Sequence, residues 1–290
     1  MNSANFPDPS IVKVNSTWYA FATTSGGVHI QVATSSDFNN WTLKSGYDAL
    51  PNLPSWVDQS SPNTWAPDVN QLDDGSFVMY YTASTANDSA MHCTAAATAS
   101  SVAGPYEPMG DEPWECSKPM GGAIDPSGFR DNDGTRYVVF KIDGNSIGNG
   151  GDCNNGVAPI VPTPIMLQKV QSDGVTKVGP AFTILTNEPV DGPLVEAPSL
   201  IRSSGGNYTL FYSSNCFTTA AYDVAYATAT NIMGPYTRAG SLFTSNTGMD
   251  SPGSADIDAD GTHLVLHANA GTGRALYTAT INISENKVTA

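Results

Sequence analysis

The sequence predicts an all-β fold, a five-bladed β-propeller made from one unit written five times. Two observations carry that expectation. A tight turn followed by an alternating strand occurs in VNSTWYAFAT (14–23), DGSFVMYYT (74–82), DGTRYVVFK (133–141), GGNYTLFYS (205–213) and DGTHLVLHA (260–268). A shorter strand-like segment precedes each turn, and the units recur every 55 to 72 residues. Composition agrees. Charged residues make up only 13% of the 290, and no long stretch has a capped 3.6-residue period, so turns between short strands are favoured over helices.

Each element follows from its residues. The leading segments are DPSIVKV from Asp8, APDVNQL from Ala66, DPSGFRD from Asp125, APSLIRS from Ala197 and SADIDA from Ser254. Proline comes second in four of them (Pro9, Pro67, Pro126 and Pro198), where a strand tolerates it because the missing N–H has no ladder partner. The Asp-Gly or Gly-Gly that follows supplies the positive φ of a tight hairpin. A third element repeats in VATSSDFNNW (32–41), TAAATASSVAGPY (94–106) and AYATATNIMGPY (225–236): an outer strand of small residues, then a turn ending in an aromatic. The period therefore holds at least three strands, and four are expected. Radial repetition explains five copies in register, which two β-sandwich domains would not require. Residues 1–290 are expected to form a single domain.

The totals exclude several classes of function. A net charge of −15 with no basic stripe argues against nucleic acid. No apolar run approaches the ~20 residues of a membrane span, so no membrane partner is expected. Cys93, Cys116, Cys153 and Cys216 show no metal spacing and point to two disulfides, with three connectivities open. MNSANFPDPS carries no visible leader, but low charge and paired cysteines point to an extracellular protein whose leader has been removed. A monomer is the default for a closed propeller.

Aligning the units places Asp8 and Asp125 at one repeat position and Glu196 one residue ahead of it, whereas the other units place Ala66 and Ser254 there. Inner strands of a propeller line the channel, so the three carboxyls converge. Like charges brought together need a proton, a metal or a substrate to resolve them. Asp256-x-Asp258-x-Asp260-Gly261 imitates a calcium loop, but His267 stands where the closing Glu belongs. It reads as a turn with surface acids, and neither metal nor cofactor is expected. A carboxyl pair across a glycosidic bond is the better answer, with Glu196 in its apolar setting suited to be the acid. Gly144-Asn145-Ser146-Ile147-Gly148 fits the G-x-S-x-G pattern, but the GNGGDCNNG that follows cannot start the helix a nucleophile elbow needs.

FPDPSI (6–11), WAPDV (65–69), AIDPSGF (123–129) and VEAPSL (195–200), in that order and at blade spacing, resemble glycoside hydrolase family 43, a family of five-bladed propellers. The resemblance implies that Asp8 is the general base, Glu196 the general acid, and Asp125 the third carboxyl that raises the acid's pKa and orients it. It also implies inversion at the anomeric carbon. Trp65 would stack on the sugar, Arg274 would hold its hydroxyls, and His267 and Asn145 would stand at the rim. One departure matters: many members carry a Gly-His pair on the last blade, where this chain reads SPGSADI with Ser254, so no channel calcium is expected. FPDPSI resembles exo-acting arabinofuranosidases and xylosidases more than endo-arabinanases. The expected activity is therefore removal of α-L-arabinofuranosyl residues from hemicellulose or pectin side chains (arabinoxylan or arabinan). A β-xylosidase or exo-arabinanase is the alternative. A lectin propeller is the rival from another class, although lectins tend to repeat one site in every blade.

Overall fold

The computed structural model describes residues 4–271 and 273–290. Five up-and-down sheets follow one another along the chain. The first blade is β1 (Ser10–Val14), β2 (Thr17–Ala22), β3 (Gln31–Ser35) and β4 (Thr42–Leu43). The second is β5 (Trp65–Gln71), β6 (Phe77–Thr85), β7 (Asp88–Ala99) and β8 (Glu107–Pro108). The third comprises β9 (Ala123–Arg130), β10 (Arg136–Ile142), β11 (Ile165–Val170) and β12 (Phe182–Leu185). The fourth comprises β13 (Val195–Arg202), β14 (Tyr208–Ser214), β15 (Asp223–Ala229) and β16 (Thr237–Phe243). The fifth has three strands, β17 (Asp250–Ile257), β18 (His263–Ala270) and β19 (Gly273–Thr280), followed by a small hairpin of β20 (Asn282–Ser284) and β21 (Lys287–Thr289).

The inner strands touch in the order β1, β5, β9, β13, β17 and back to β1, which closes the ring. The N-terminal segment ties the closure, where the Phe6 N–H donates to the Arg274 carbonyl at 2.7 Å. All five expected hairpins are present, and the helical residues form only short 3-10 turns among the described residues. One of them spans Gly144–Ile147, so Ser146 sits on no nucleophile elbow.

The core lies between blades rather than inside any one of them, and strand alternation explains how. In β6, Met79 and Tyr81 pack toward Phe21 and Val32 of the first blade. Val78 and Tyr80 face the other way, toward Val138 and Val170 of the third. Period-2 side chains thus feed two interfaces from one strand, which is why β6 is buried along its whole length and reads as an apolar run. The same division sends Leu210 and Tyr212 to the third blade and Phe211 to the fifth. Trp18 and Ala20 meet Val265 and Leu276 to seal the first blade on the last. The two GPY turns are equivalent devices: Tyr106 Oη donates to the Val102 carbonyl and Tyr236 Oη to that of Ile232. The cysteines pair as Cys93–Cys116 and Cys153–Cys216, and the second bond ties the β10–β11 excursion to the segment after β14.

Candidate active site

The five aligned positions share a backbone state that the sequence does not spell out. Asp8, Ala66, Asp125, Ala197 and Ser254 all adopt positive φ, at 52°, 41°, 52°, 49° and 51°. In the second to fifth blades the ladder shifts register at this point, between Trp65 and Asp68, Val139 and Lys141, Glu196 and Ser199, and Gly253 and Asp256. A bulge next to a left-handed residue re-aims the side chains at the channel mouth. Such strain in non-glycine residues costs on the order of 1 kcal/mol each and is sustained by the surrounding ladder.

The re-aimed side chains meet in a cavity of about 380 Å³ lined by Asp8, Asp125 and Glu196. Trp65, Asn145 and Arg274 line it as well. Trp65 and Glu196 occupy the same repeat position, one residue ahead of the bulge. In the fifth blade that position is Gly253, whose absent side chain leaves room for the Tyr222 ring; an added Cβ would lie 1.9 Å from Tyr222 Cε1. Tyr222 passes over this glycine and donates its Oη to Glu196 Oε1 at 2.9 Å.

The three carboxyls stand in different electrostatic settings. Burial pushes Asp8 up, but the Arg274 guanidinium, the adjoining His267 ring and the Thr23 hydroxyl outweigh it and hold the carboxyl well below its usual range. Arg274 Nη1 donates to Asp8 Oδ1 at 3.0 Å, and Thr23 Oγ1 donates to Oδ2 at 2.6 Å. Asp125 goes the other way: burial and the neighbouring Glu196 raise it to about 7 against the opposing pull of Lys141. Its Oδ2 accepts the Ala197 N–H at 2.9 Å. Lys141 Nζ lies 3.0 Å from Glu196 Oε2, at the opposite carboxylate oxygen from Tyr222. Two buried acids pushed apart in this way mark an acid and a base available near neutrality.

Two sequence expectations need correction. His267 is fully buried and does not line the cavity. Its Nδ1 accepts the Asp8 N–H at 3.0 Å, burial lowers its pKa against the opposing pull of Asp8, and Arg274 places its guanidinium beside the same carboxyl. His267 braces Asp8 from behind instead of standing at the rim. The Asp256 and Asp258 carboxyls, read as surface acids, are buried. Asp256 accepts the Ile11 N–H and the Ser199 hydroxyl deep in the channel, while at the turn Asp258 accepts the Asp260 N–H and Asp260 that of Thr262. Among the described residues, no group of three or more His, Cys, Asp or Glu is arranged to hold a metal ion.

Of the other lining residues, His92 and Phe217 carry no sequence signal of their own. His92 stacks on Trp65 with ring centroids 3.9 Å apart, and its buried Nε2 has no partner. Asn145 presents a buried Oδ1 that is likewise unpartnered. Phe217 lies beneath the Arg274 guanidinium at 5.4 Å, and Cys153 brings its disulfide to the wall. The cavity thus offers ionised and protonated carboxyls, an aromatic wall, and polar atoms awaiting partners. That combination suits a neutral polyhydroxylated ring.

The match to the family model described as "Glycosyl hydrolases family 43" covers residues 2–287. The chain belongs to family 43. It is a glycoside hydrolase. It is similar to an extracellular endo-α-(1→5)-L-arabinanase of Bacillus subtilis (strain 168), 28% identical over 277 residues, covering 90% of this chain and 79% of that one. A putative β-xylosidase of Xylanibacter ruminicola is 25% identical over 247 residues, covering 84% of this chain and 40% of the longer relative. Among solved structures, a thermostable family-43 glycoside hydrolase superposes with a TM-score of 0.78 at 23% identity, over 98% of this chain and 92% of its own. The family-43 expectation and the five-bladed fold both stand.

Proposed function

We propose that the protein is an exo-acting, inverting hydrolase that removes α-L-arabinofuranosyl residues from arabinan or arabinoxylan outside the cell. The observation that carries this reading is the opposed protonation of its carboxyls: Asp8 is held ionised beside Arg274, while Asp125 keeps a proton near neutrality next to Glu196. In the reaction Asp8 takes a proton from water as the water oxygen bonds to the anomeric carbon. The bond to the leaving oxygen breaks on the opposite side, and that oxygen receives a proton from Glu196. Asp125 stands beside Glu196 as the third carboxyl, raised to about 7 by burial and by that neighbour. Trp65 walls the sugar, and Asn145 and Arg274 meet its hydroxyls. Release of a single terminal sugar is supported by the FPDPSI start, which resembles that of exo-acting members, and Arg274, Phe217 and the disulfide-tied Cys153 line the cavity. Two disulfides support an extracellular setting.

A second reading, internal cleavage of α-(1→5)-arabinan, is favoured by the activity named for the Bacillus subtilis relative. Product analysis on linear arabinan separates the two. Arabinose alone from the first turnovers supports the exo reading, and a ladder of oligosaccharides would replace it. Parallel assays on aryl α-L-arabinofuranoside and β-D-xyloside identify the sugar. Glu196→Gln is expected to lose ~10²–10⁴-fold on an oligosaccharide and less on the aryl glycoside, whose leaving group needs little protonation. A wild type that binds oligosaccharides and cleaves none would point to a lectin.

A further inference from the structure

Each blade places one residue, in its second strand or just after it, opposite the residue that precedes the left-handed position. Thr82 pairs with Trp65, Lys141 with Ile124, Ser213 with Glu196 and His267 with Gly253, while the Thr23 N–H reaches the Pro7 carbonyl. Four of the five do the same task, accepting the N–H of the next blade's left-handed residue. Ala66 N–H goes to Thr23 Oγ1 (2.9 Å), Asp125 N–H to Thr82 Oγ1 (3.1 Å), Ser254 N–H to Ser213 Oγ (2.8 Å) and Asp8 N–H to His267 Nδ1 (3.0 Å). The third blade breaks the rule. Lys141 has no acceptor to offer, and the Ala197 N–H is taken by Asp125 Oδ2 instead.

The fold therefore does not require a lysine at this position, where a threonine serves twice. Yet Lys141 is fully buried, the ammonium included, and a buried charge persists only where it is paired. Its Nζ lies 3.0 Å from Glu196 Oε2 and 3.2 Å from Asp143 Oδ1. We propose that Lys141 is a positioning residue for the general acid, its ammonium tethering the Glu196 carboxyl to Asp143 at the cavity wall.

The inference rests on the acid role proposed for Glu196. With Tyr222 on the other oxygen, the tether fixes the rotation of the carboxyl about its last bond, which determines whether its proton points at the leaving oxygen. Burial would discharge the ammonium, but Glu196, Asp143 and Asp125 together hold its pKa well above the usual lysine range. The charge also limits how far Asp125 rises. The ionisable groups around the tether are Asp125 on β9, Asp143 after β10, Glu196 on β13 and Tyr222 before β15, with Asp8 and His267 across the cavity.

Lys141→Thr, Lys141→Arg and Asp143→Asn test the assignment on a matched oligosaccharide and nitrophenyl glycoside that the wild type cleaves. Lys141→Thr should lose roughly 10²-fold in kcat on the oligosaccharide, the scale of a misplaced catalytic group, and less than about ten-fold on the nitrophenyl glycoside. The basic limb of its kcat/KM profile should move up by about one pH unit as Asp125 loses the opposing charge. Lys141→Arg should recover most of the oligosaccharide rate. Equal losses on both substrates, or an unmoved basic limb, would overturn the proposal and leave Lys141 a packing residue. Should Lys141→Thr fail to fold, Asp143→Asn decides, because it keeps the ammonium and releases its anchor: a loss confined to the oligosaccharide supports the tether, and none refutes it. Inactivity of the wild type on every glycoside would defeat the hydrolytic reading itself, and the tether with it.

Discussion

Replacing Arg274 by Met removes the one guanidinium that meets the proposed base. Arg274 Nη1 and Asp8 Oδ1 are 3.0 Å apart, with side chains 26% and 16% exposed. Two unit charges about 4 Å apart interact by roughly 4 kcal/mol at an effective dielectric constant near 20. At about 1.4 kcal/mol per unit that would be about three pKa units, and partial solvent screening reduces it to about one or two. The sign is fixed by the form required: Asp8 acts as a carboxylate, so removing the cation raises its pKa and moves the acid limb of kcat/KM upward. The assay is the ratio of Arg274→Met to wild-type kcat/KM between pH 3 and pH 8, with Arg274→Lys as a charge-retaining control. Loss of a sugar contact lowers that ratio equally at every pH. Loss of charge stabilisation adds a further drop that sets in only toward the acid end, up to about two-fold at pH 3, because Asp8 starts well below its usual range. A ratio independent of pH would mean that Arg274 only holds sugar and that another group keeps Asp8 ionised.

Two further outcomes follow from the site and the channel beneath it. Trp65→Ala should raise KM by roughly ten-fold, the equivalent of about 1–1.5 kcal/mol of aromatic contact, with kcat changed less; an unchanged KM would reduce Trp65 to a support for His92. Asp68, buried in the channel, is raised to about 6 by burial despite the Gly128 N–H and the Asn70 and Ser127 side chains. A carboxyl whose folded-state pKa is raised costs stability as pH rises from about 4 through 6, so Asp68→Asn should melt higher than wild type at pH 8. The gain is bounded by about 2–3 kcal/mol and should vanish near pH 4; a pH-independent difference would contradict the burial argument.

The fold was legible because its unit is local. A turn, an alternating strand and an aspartate- or alanine-proline start all fall within one blade, so five copies could be aligned by spelling alone. Asp8, Asp125, Glu196, Trp65, Asn145 and Arg274 were reachable by the same alignment or by resemblance, and the structure gathers all six around one cavity. What could not be read are relations between blades. His267 alternates with Leu264 and Leu266, which predicts burial but not that the ring faces the Asp8 N–H across the closure of the ring. Lys141 ends an apolar strand and looks like a strand-terminal charge, yet its partner lies 55 residues away in the next blade. Tyr222 reaches Glu196 only because Gly253, in a third segment, has no side chain to stop it. Asp256 and Asp258 misled for the converse reason: the calcium-loop spelling suggested a turn, and its first two acids belong to the end of a buried strand and the residue just after it.

Repetition also explains how one centre arises in a five-fold scaffold. The left-handed residue at the channel mouth is a requirement of the fold, since Ala66 and Ala197 adopt it with no polar side chain to favour it. Asp tolerates that conformation better than most residues, but the alanines show that a carboxyl is not needed to sustain it. The same holds one strand away, where Thr23, Thr82 and Ser213 meet the structural need with a hydroxyl, His267 meets it with a ring nitrogen, and Lys141 leaves it to Asp125. Residues that fill a repeat position with more chemistry than the repeat demands are therefore the ones to assign to the reaction. By that criterion the proposed base Asp8, the third carboxyl Asp125, His267 behind Asp8 and the proposed tether Lys141 fall on two repeat positions. The proposed acid, Glu196, stands one residue ahead of the first of these, where the second blade supplies Trp65.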